Sequence, residues 1–205
     1  MIYYSFGSRK EPKIALTFDD GPNPPLTNQI LDILEENGVK ANFFLLGKYA
    51  KENESTVKEI QRRGHLIGVH GYYHQRGVDP KFEVSLEIIE KITKEKPLFF
   101  RPPYGDLTLC KTDFFINNPQ FKIVTFDVDP EDFKMIEPEI IINRVLEKVQ
   151  NGSIIDLHDS SQHLEQKAIR PLNTLKALPR LIKELKNRGF LICRLDEIEL
   201  VPLEF

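Results

Sequence analysis

The hexamer Thr17-Phe18-Asp19-Asp20-Gly21-Pro22 sets two carboxylates side by side at the end of an apolar run. Two adjacent acids at the mouth of a buried strand repel each other, and a nearby cation offsets this. A metal ion is the obvious candidate. The alternative is a strand-to-turn junction with both acids solvated, because Asp-Gly and Gly-Pro are turn formers. Farther along, His70 and His74 stand four apart in Val69-His70-Gly71-Tyr72-Tyr73-His74. On a helical turn both imidazoles would project from one face. With one carboxylate they form a two-His-one-carboxylate set that leaves coordination positions open for water and substrate. Arg101 precedes two prolines that stiffen its loop, so it is either a surface residue in a rigid turn or a guanidinium forked onto a carboxylate. His158 ends the run Ile154-Ile155-Asp156-Leu157. It is either a core histidine or, with carboxylates near, a general acid. His65 is read as structural and His163 as a solvated loop residue.

These residues need a scaffold that gathers them. Short, nearly continuous apolar runs recur at Ile14–Phe18, Asn42–Leu46, Leu66–Val69, Pro97–Phe100, Lys122–Phe126, Ser153–Leu157 and Phe190–Cys193. Strands buried on both faces read this way. Helical patterns lie between them. Thr27 is expected to cap the first helix, which Gly38 closes. A second runs from Lys48 to Arg63 with a break near Asn53. Asp79-Pro80 is expected to open a third, with Phe82, Leu86 and Ile89 on one face. A short helix is expected within Asp106–Asn118. Pro138 starts another, which Gly152 ends. The last carries Leu175 to Leu185 and stops at Gly189, with Pro179 kinking it or marking its start. Strand and helix alternate about seven times. That predicts an α/β fold, a distorted (β/α) barrel of about seven parallel strands, with a doubly wound open sheet as the alternative. In such a barrel function gathers at the C-terminal strand ends. Asp19 and Asp20, His70 and His74, Arg101, the group Asp127, Asp129 and Asp132, and the pair His158 and Asp159 all follow apolar runs directly. One rim would therefore carry all of them.

In this order and spacing, TFDDGP, HxxxH, RPPYG, an Asp-rich segment ending in Asp-aromatic, and LHD resemble the motifs of the polysaccharide deacetylases. These are the NodB-homology proteins of carbohydrate esterase family four, and the likeness runs from about Lys13 to Leu195. The resemblance implies that Asp20, His70 and His74 hold one divalent metal, usually zinc, with cobalt or nickel as alternatives. It implies that Asp19 is the general base and that Arg101 orients it. The backbone N–H of Tyr104 would bind the oxyanion. His158 would be the general acid, supported by Asp132. Leu157 would help line the pocket for the acetyl methyl, and Phe133 would keep an apolar wall at the substrate. Two positions depart from the family pattern. Gly71 stands where a Ser or Thr hydroxyl would brace the metal loop, and Phe133 where a Trp would offer an indole N–H. The expected reaction is hydrolysis of N-acetyl groups from an amino-sugar glycan. Hydrolysis of another linear or cyclic amide, and a catalytically weak carbohydrate-binding metalloprotein, are the alternatives.

Composition narrows the remaining classes. With 205 residues, 40% hydrophobic and 29% charged, the chain can bury one full core and is expected to form a single domain over 1–205. A net charge of -3 with both signs interspersed gives no electrostatic case for nucleic acid. No apolar run approaches the ~18 residues of a membrane span. Cys110 and Cys193 stand in unrelated elements and imply free thiols. Met1–Lys10 has neither a leading charge nor a signal-like apolar block, so the chain as written is expected in the cytoplasm. A chain trimmed from an exported precursor would look the same.

Overall fold

The computed structural model describes residues 2–134, 136–160 and 170–203. Its strands are β1 (Tyr3–Gly7), β2 (Lys13–Asp19), β3 (Asn42–Leu46), β4 (Leu66–Gly71), β5 (Phe99–Phe100), β6 (Lys122–Val124), β7 (Ile154–His158), β8 (Leu191–Ile192) and β9 (Leu200–Pro202). Its α-helices are α1 (Leu26–Glu36), α2 (Gly47–Glu52), α3 (Glu54–Arg62), α4 (Phe82–Thr93), α5 (Asp113–Ile116), α6 (Pro138–Lys148) and α7 (Arg170–Asn187). The sheet runs β7-β2-β3-β4-β5-β6-β1-β9, with β8 also paired to β2. Every ladder is parallel except that of β1 with β9. After β6 the chain bridges back to β7 through Val128 and Ile155, and Phe6 of β1 bridges to Ser153 at the start of β7, so the curled sheet closes on itself through isolated bridges rather than a full ladder. The expected distorted barrel is the observed one. β1 and β9 fall outside the expected apolar runs, because Tyr3–Gly7 is interrupted by Ser5 and Leu200–Pro202 is only three residues long, and both are only partly buried.

Side chains alternate across each strand, and the two faces build two cores. Ile14, Leu16 and Phe18 of β2 join the large cluster between sheet and helices. Ala15 belongs to a smaller cluster inside the curl with Phe44, Leu66, Phe99, Val124 and Ile154. Above that inner cluster the same face continues into Thr17, Asp19, Arg101 and Asp156, all buried. The barrel interior thus turns from apolar to ionic toward its C-terminal rim.

Several helix boundaries differ from expectation, and two of the differences hold loops at the rim. Thr27 does not cap α1; Pro25 holds that position. The Thr27 hydroxyl instead accepts from Asn23 N–H at 2.7 Å and donates to Asp159 at 2.5 Å. Asp79-Pro80 does not open α4, which starts after Lys81 in a left-handed conformation. The Pro80 carbonyl accepts the N–H of Tyr72 at 2.5 Å and so ties down the loop after β4. The break near Asn53 separates α2 from α3 as expected. The Asp106–Asn118 stretch contains a 3-10 turn, Leu107–Cys110, and the short α5. α6 stops at Lys148, and Gly152 serves the turn into β7 at φ 76°. α7 continues through Pro179, because Leu178, Leu181, Ile182 and Leu185 are all buried against the sheet. His163 lies outside the described residues. Among the described residues no helix is long and apolar enough to cross a membrane.

His65 is structural, as expected: it is buried and its Nδ1 accepts from Ala41 N–H at 3.1 Å. Burial, aided by Lys40, pushes its pKa down to about 4. The unfolded chain takes up that proton near pH 6.5 and the folded chain does not. Stability is therefore full above pH 6.5 and falls as pH drops toward 4, by on the order of 3 kcal/mol for this group. Urea unfolding of the wild type and His65→Gln across pH 7 to 4 should give the shallower pH dependence in the variant.

Candidate active site

The rim encloses a cleft of about 760 Å³. Asp19, Asp20, His70, His74, Tyr104, Phe133 and His158 line it, as the motifs lead one to expect. Consecutive strand residues normally face opposite sides. Asp20 sits at φ 74°, a left-handed conformation that Asp tolerates. This turn is what lets both carboxylates reach the same cleft. Asp20 Oδ1 lies 3.5 Å from His70 Nε2 and 3.6 Å from His74 Nε2. The ligand atoms of the three residues fall within 4.8 Å of one another, a spacing that one divalent ion can bridge.

The histidines meet through a loop rather than a helical turn. His70 belongs to β4, and Gly71 at φ 98° swings the chain so that His74 returns. A Cβ at Gly71 would lie 2.9 Å from Pro80 atoms, which explains why no Ser or Thr stands there. The bracing comes from Ser85, whose hydroxyl donates to the Gly71 carbonyl at 3.0 Å. His70 Nδ1 lies 2.9 Å from the Arg101 carbonyl. An N–H there leaves Nε2 as the lone-pair donor toward the cluster. Burial, the neighbouring His74 and Arg101 lower the His70 pKa to about 3, so the ring is neutral and able to ligate at neutral pH.

Arg101 is fully buried. Its Nη1 donates to Thr17 Oγ1 at 2.6 Å, Asp19 Oδ1 at 2.8 Å and Asp156 Oδ1 at 2.9 Å. Its Nε and Nη2 donate to the carbonyls of Val124 and Thr125, and its guanidinium lies 4.2 Å from the centroid of Phe44. The surface alternative for this residue is thereby excluded. Asp19 Oδ2 remains 3.7 Å from His70 Nε2, so one carboxylate spans the guanidinium and the edge of the His cluster.

On the other wall His158 Nδ1 lies 2.7 Å from Asp132 Oδ1, and Asp132 Oδ2 accepts from the His158 backbone N–H at 2.9 Å and the Thr174 hydroxyl at 2.6 Å. Burial opposes a charged imidazole, but Asp132 and Asp156 outweigh it and raise the His158 pKa well above its ordinary value. Phe133 packs edge-on against this ring with centroids 5.4 Å apart. Tyr104, at φ 61° beside His74, donates its hydroxyl to the His74 carbonyl at 3.1 Å. The arrangement offers a cation site, a carboxylate beside it and a protonated imidazole opposite, which is the equipment for hydrolysis of an amide.

Three expected positions move. Leu157 does not line the cleft: it is fully buried in the cluster between sheet and helices, on the face of β7 opposite Asp156 and His158. Asp127 lies away from the rim, where it accepts from the Ile154 N–H at 2.8 Å and pairs with Arg9 at 2.8 Å. Asp159 is buried, and its carboxyl occupies the space a Cβ at Gly21 would need, 2.3 Å away. Burial raises its pKa to about 7, against the Thr27 hydrogen bond. Asp156 was missed, hidden in an apolar run. Period-two counting back from His158 could have found it. Asp129, Phe126, Gln75 and Arg76 also line the cleft.

Removing the Arg101 guanidinium leaves two buried carboxylates without their cation. Arg101→Met should destabilise the fold by about 3–5 kcal/mol. In urea unfolding, Arg101→Met combined with Asp156→Leu should lose less than the sum of the single changes.

Comparison with known proteins agrees with this geometry. The profile of the polysaccharide deacetylase family matches residues 6–112. A peptidoglycan-N-acetylglucosamine deacetylase of Bacillus cereus is 34% identical, over 91% of this chain and 68% of its own length. A chitooligosaccharide deacetylase of Sinorhizobium fredii is 33% identical over 91% of each chain. The crystal structure of a peptidoglycan N-acetylglucosamine deacetylase in complex with a substituted benzamide superposes with a TM-score of 0.86 at 32% identity, covering 96% of this chain and 92% of that one. With the profile match, the relatives and the shared fold in agreement, the chain belongs to the polysaccharide deacetylase family.

Proposed function

We propose that this protein is a metal-dependent hydrolase that removes N-acetyl groups from an N-acetylglucosamine-containing glycan or glycoconjugate. The observation that carries this reading is the cleft with Asp20, His70 and His74 clustered on one wall and the Asp132–His158 pair on another. The donor set, two imidazoles and one carboxylate, fits a divalent ion such as zinc, with cobalt or nickel as substitutes. When bound, that ion supplies Lewis-acid polarisation of the amide carbonyl and acidifies the attacking water.

The remaining work falls to this chain's own groups. Asp19, held by Arg101 through Oδ1, accepts the proton of the attacking water on Oδ2. The Tyr104 backbone N–H is assigned to the oxygen that gains charge as the carbonyl carbon becomes tetrahedral, in line with the place of Tyr104 in the cleft lining. His158 gives its proton to the departing amine, and Asp132 orients the ring and stabilises its charge. His158, whose charged form Asp132 favours, thus stands as the acid across the cleft from the carboxylate that Arg101 orients. Phe133 supplies an apolar wall beside the acid. In the wider cleft, Arg76 lies 4.3 Å from the Tyr104 ring centroid and offers a cationic rim to the glycan.

Acetate release from chito-oligosaccharides and from peptidoglycan, with the zinc-loaded protein, tests the reading directly. Absence of stoichiometric metal together with absence of acetate from both would overturn it. Asp19→Asn should lose at least about 100-fold in kcat yet keep the metal, whereas His70→Ala should lose both, as read by metal analysis. Loss of metal from Asp19→Asn but not from Asp20→Asn would reverse the assignment of the two acids.

The raised pKa of His158 has a signed consequence. Activity needs its protonated form, so kcat/KM should fall as pH rises through that pKa. Asp132→Asn removes the charge that favours the imidazolium, and the alkaline limb should move to lower pH by roughly one to two units.

A further inference from the structure

Asp156 touches no reacting atom in the chemistry described above, yet it lines the cleft. Its place follows from strand register. In the β2–β7 ladder Thr17 pairs with Asp156 and Asp19 pairs with His158. Residues two apart on a strand share a face. Asp19 and His158 therefore form one layer of the barrel interior, and Thr17 and Asp156 form the layer beneath it. Of the Asp156 carboxyl, Oδ1 is taken by Arg101 at 2.9 Å. No hydrogen bond reaches Oδ2 from any described residue.

The tetrahedral carbon of an amide under attack has four substituents. In the reading proposed above, the attacking oxygen faces Asp19, the former carbonyl oxygen faces the Asp20, His70 and His74 wall with Tyr104, and the nitrogen faces His158. The acyl chain is left to point down into the next layer, toward Asp156. A methyl there meets a carboxyl oxygen and leaves it unpaired, which is unfavourable for a buried polar group. A hydroxymethyl satisfies it, whichever of the two groups carries the proton, because a hydroxyl both donates and accepts. Burial and the adjacent Asp19 raise the Asp156 pKa well above the carboxylate range, and a neutral carboxyl donor pairs with a hydroxyl as readily as an anion does.

We propose that Asp156 is the residue that selects the acyl group, and that N-glycolyl amino sugars are substrates of this site alongside N-acetyl ones. The reaction is the same: water adds to the acyl carbon, the C–N bond breaks, and glycolate and a free amine leave, with the hydroxyl of the acyl chain unchanged. This inference rests on the deacetylase reading.

N-glycolyl and N-propionyl chitobiose are matched in size and differ by a hydroxyl in place of a methyl, so their ratio of kcat/KM isolates the contact. N-acetyl chitobiose reports the parent activity. The wild type should favour glycolyl over propionyl by about tenfold or more, because a site built around a polar group discriminates against an analogue that leaves it unpaired. Asp156→Leu should bring the ratio to about one or invert it, and Asp156→Asn should retain a preference. Each ratio is taken within one protein and is independent of how much of a variant folds. A wild-type ratio at or below one sinks the proposal even if Asp156→Leu is not recovered, as does a preference that Asp156→Leu leaves intact. Release of acetate with a flat ratio would overturn only the role of Asp156. No acid released from any of the three would overturn the deacetylase reading and this inference with it.

Discussion

The structure depends on one buried cation. Arg101 has no solvent exposure, and a guanidinium taken out of water is tolerable only when it is paired and its N–H groups are satisfied. β5 delivers it into the barrel, and the apolar layer below ends where it begins. Thr17, Asp19 and Asp156 gather on one of its nitrogens, the Val124 and Thr125 carbonyls take the others, and Phe44 lies against its face. Its backbone carbonyl also meets His70 Nδ1 at 2.9 Å. A single residue thus links the Asp19 carboxylate, the orientation of the His70 ring and the ionic floor of the cleft.

Around that link the site separates charge by environment rather than by residue type. His70 and His158 are both buried histidines, yet one is driven toward the neutral form and the other toward the charged form. His70 has Arg101 and His74 close by, which adds to the effect of burial. His158 has Asp132 and Asp156, which overcome it. A neutral ring can ligate and a charged ring can donate a proton, so the neighbours determine the roles.

The turns at the rim are as specific as the side chains. Asp20, Gly71 and Tyr104 all have positive φ, and each redirects the chain where a straight strand would point away from the cleft. Gly71 differs from the family pattern because Pro80 occupies the space of a side chain, and Ser85 supplies the brace from α4 instead. Phe133 keeps an apolar wall against His158. The departures therefore leave the cluster assembled and change how it is supported.

The pattern of apolar runs, glycine stops and strand-end acids determined the fold class and most of the site. Period and punctuation are local properties, so TFDDGP, HxxxH, RPPYG and LHD were legible without coordinates. What they could not supply was facing. Leu157 and Asp156 are neighbours in the chain; in β7 one enters the helix-covered core and the other enters the cleft. Which does which depends on the register of β7 against β2, a non-local pairing. The same holds for β1, which pairs with the edge of β6, for β9, which pairs with β1, and for Asp79-Pro80, which gives up a helix start to hold a loop. Asp19 and Asp20 show both halves of the division. Their presence as a pair is written in the sequence, but only the left-handed turn at Asp20 and the buried Arg101 make them unlike, one set among histidines and the other held by a guanidinium.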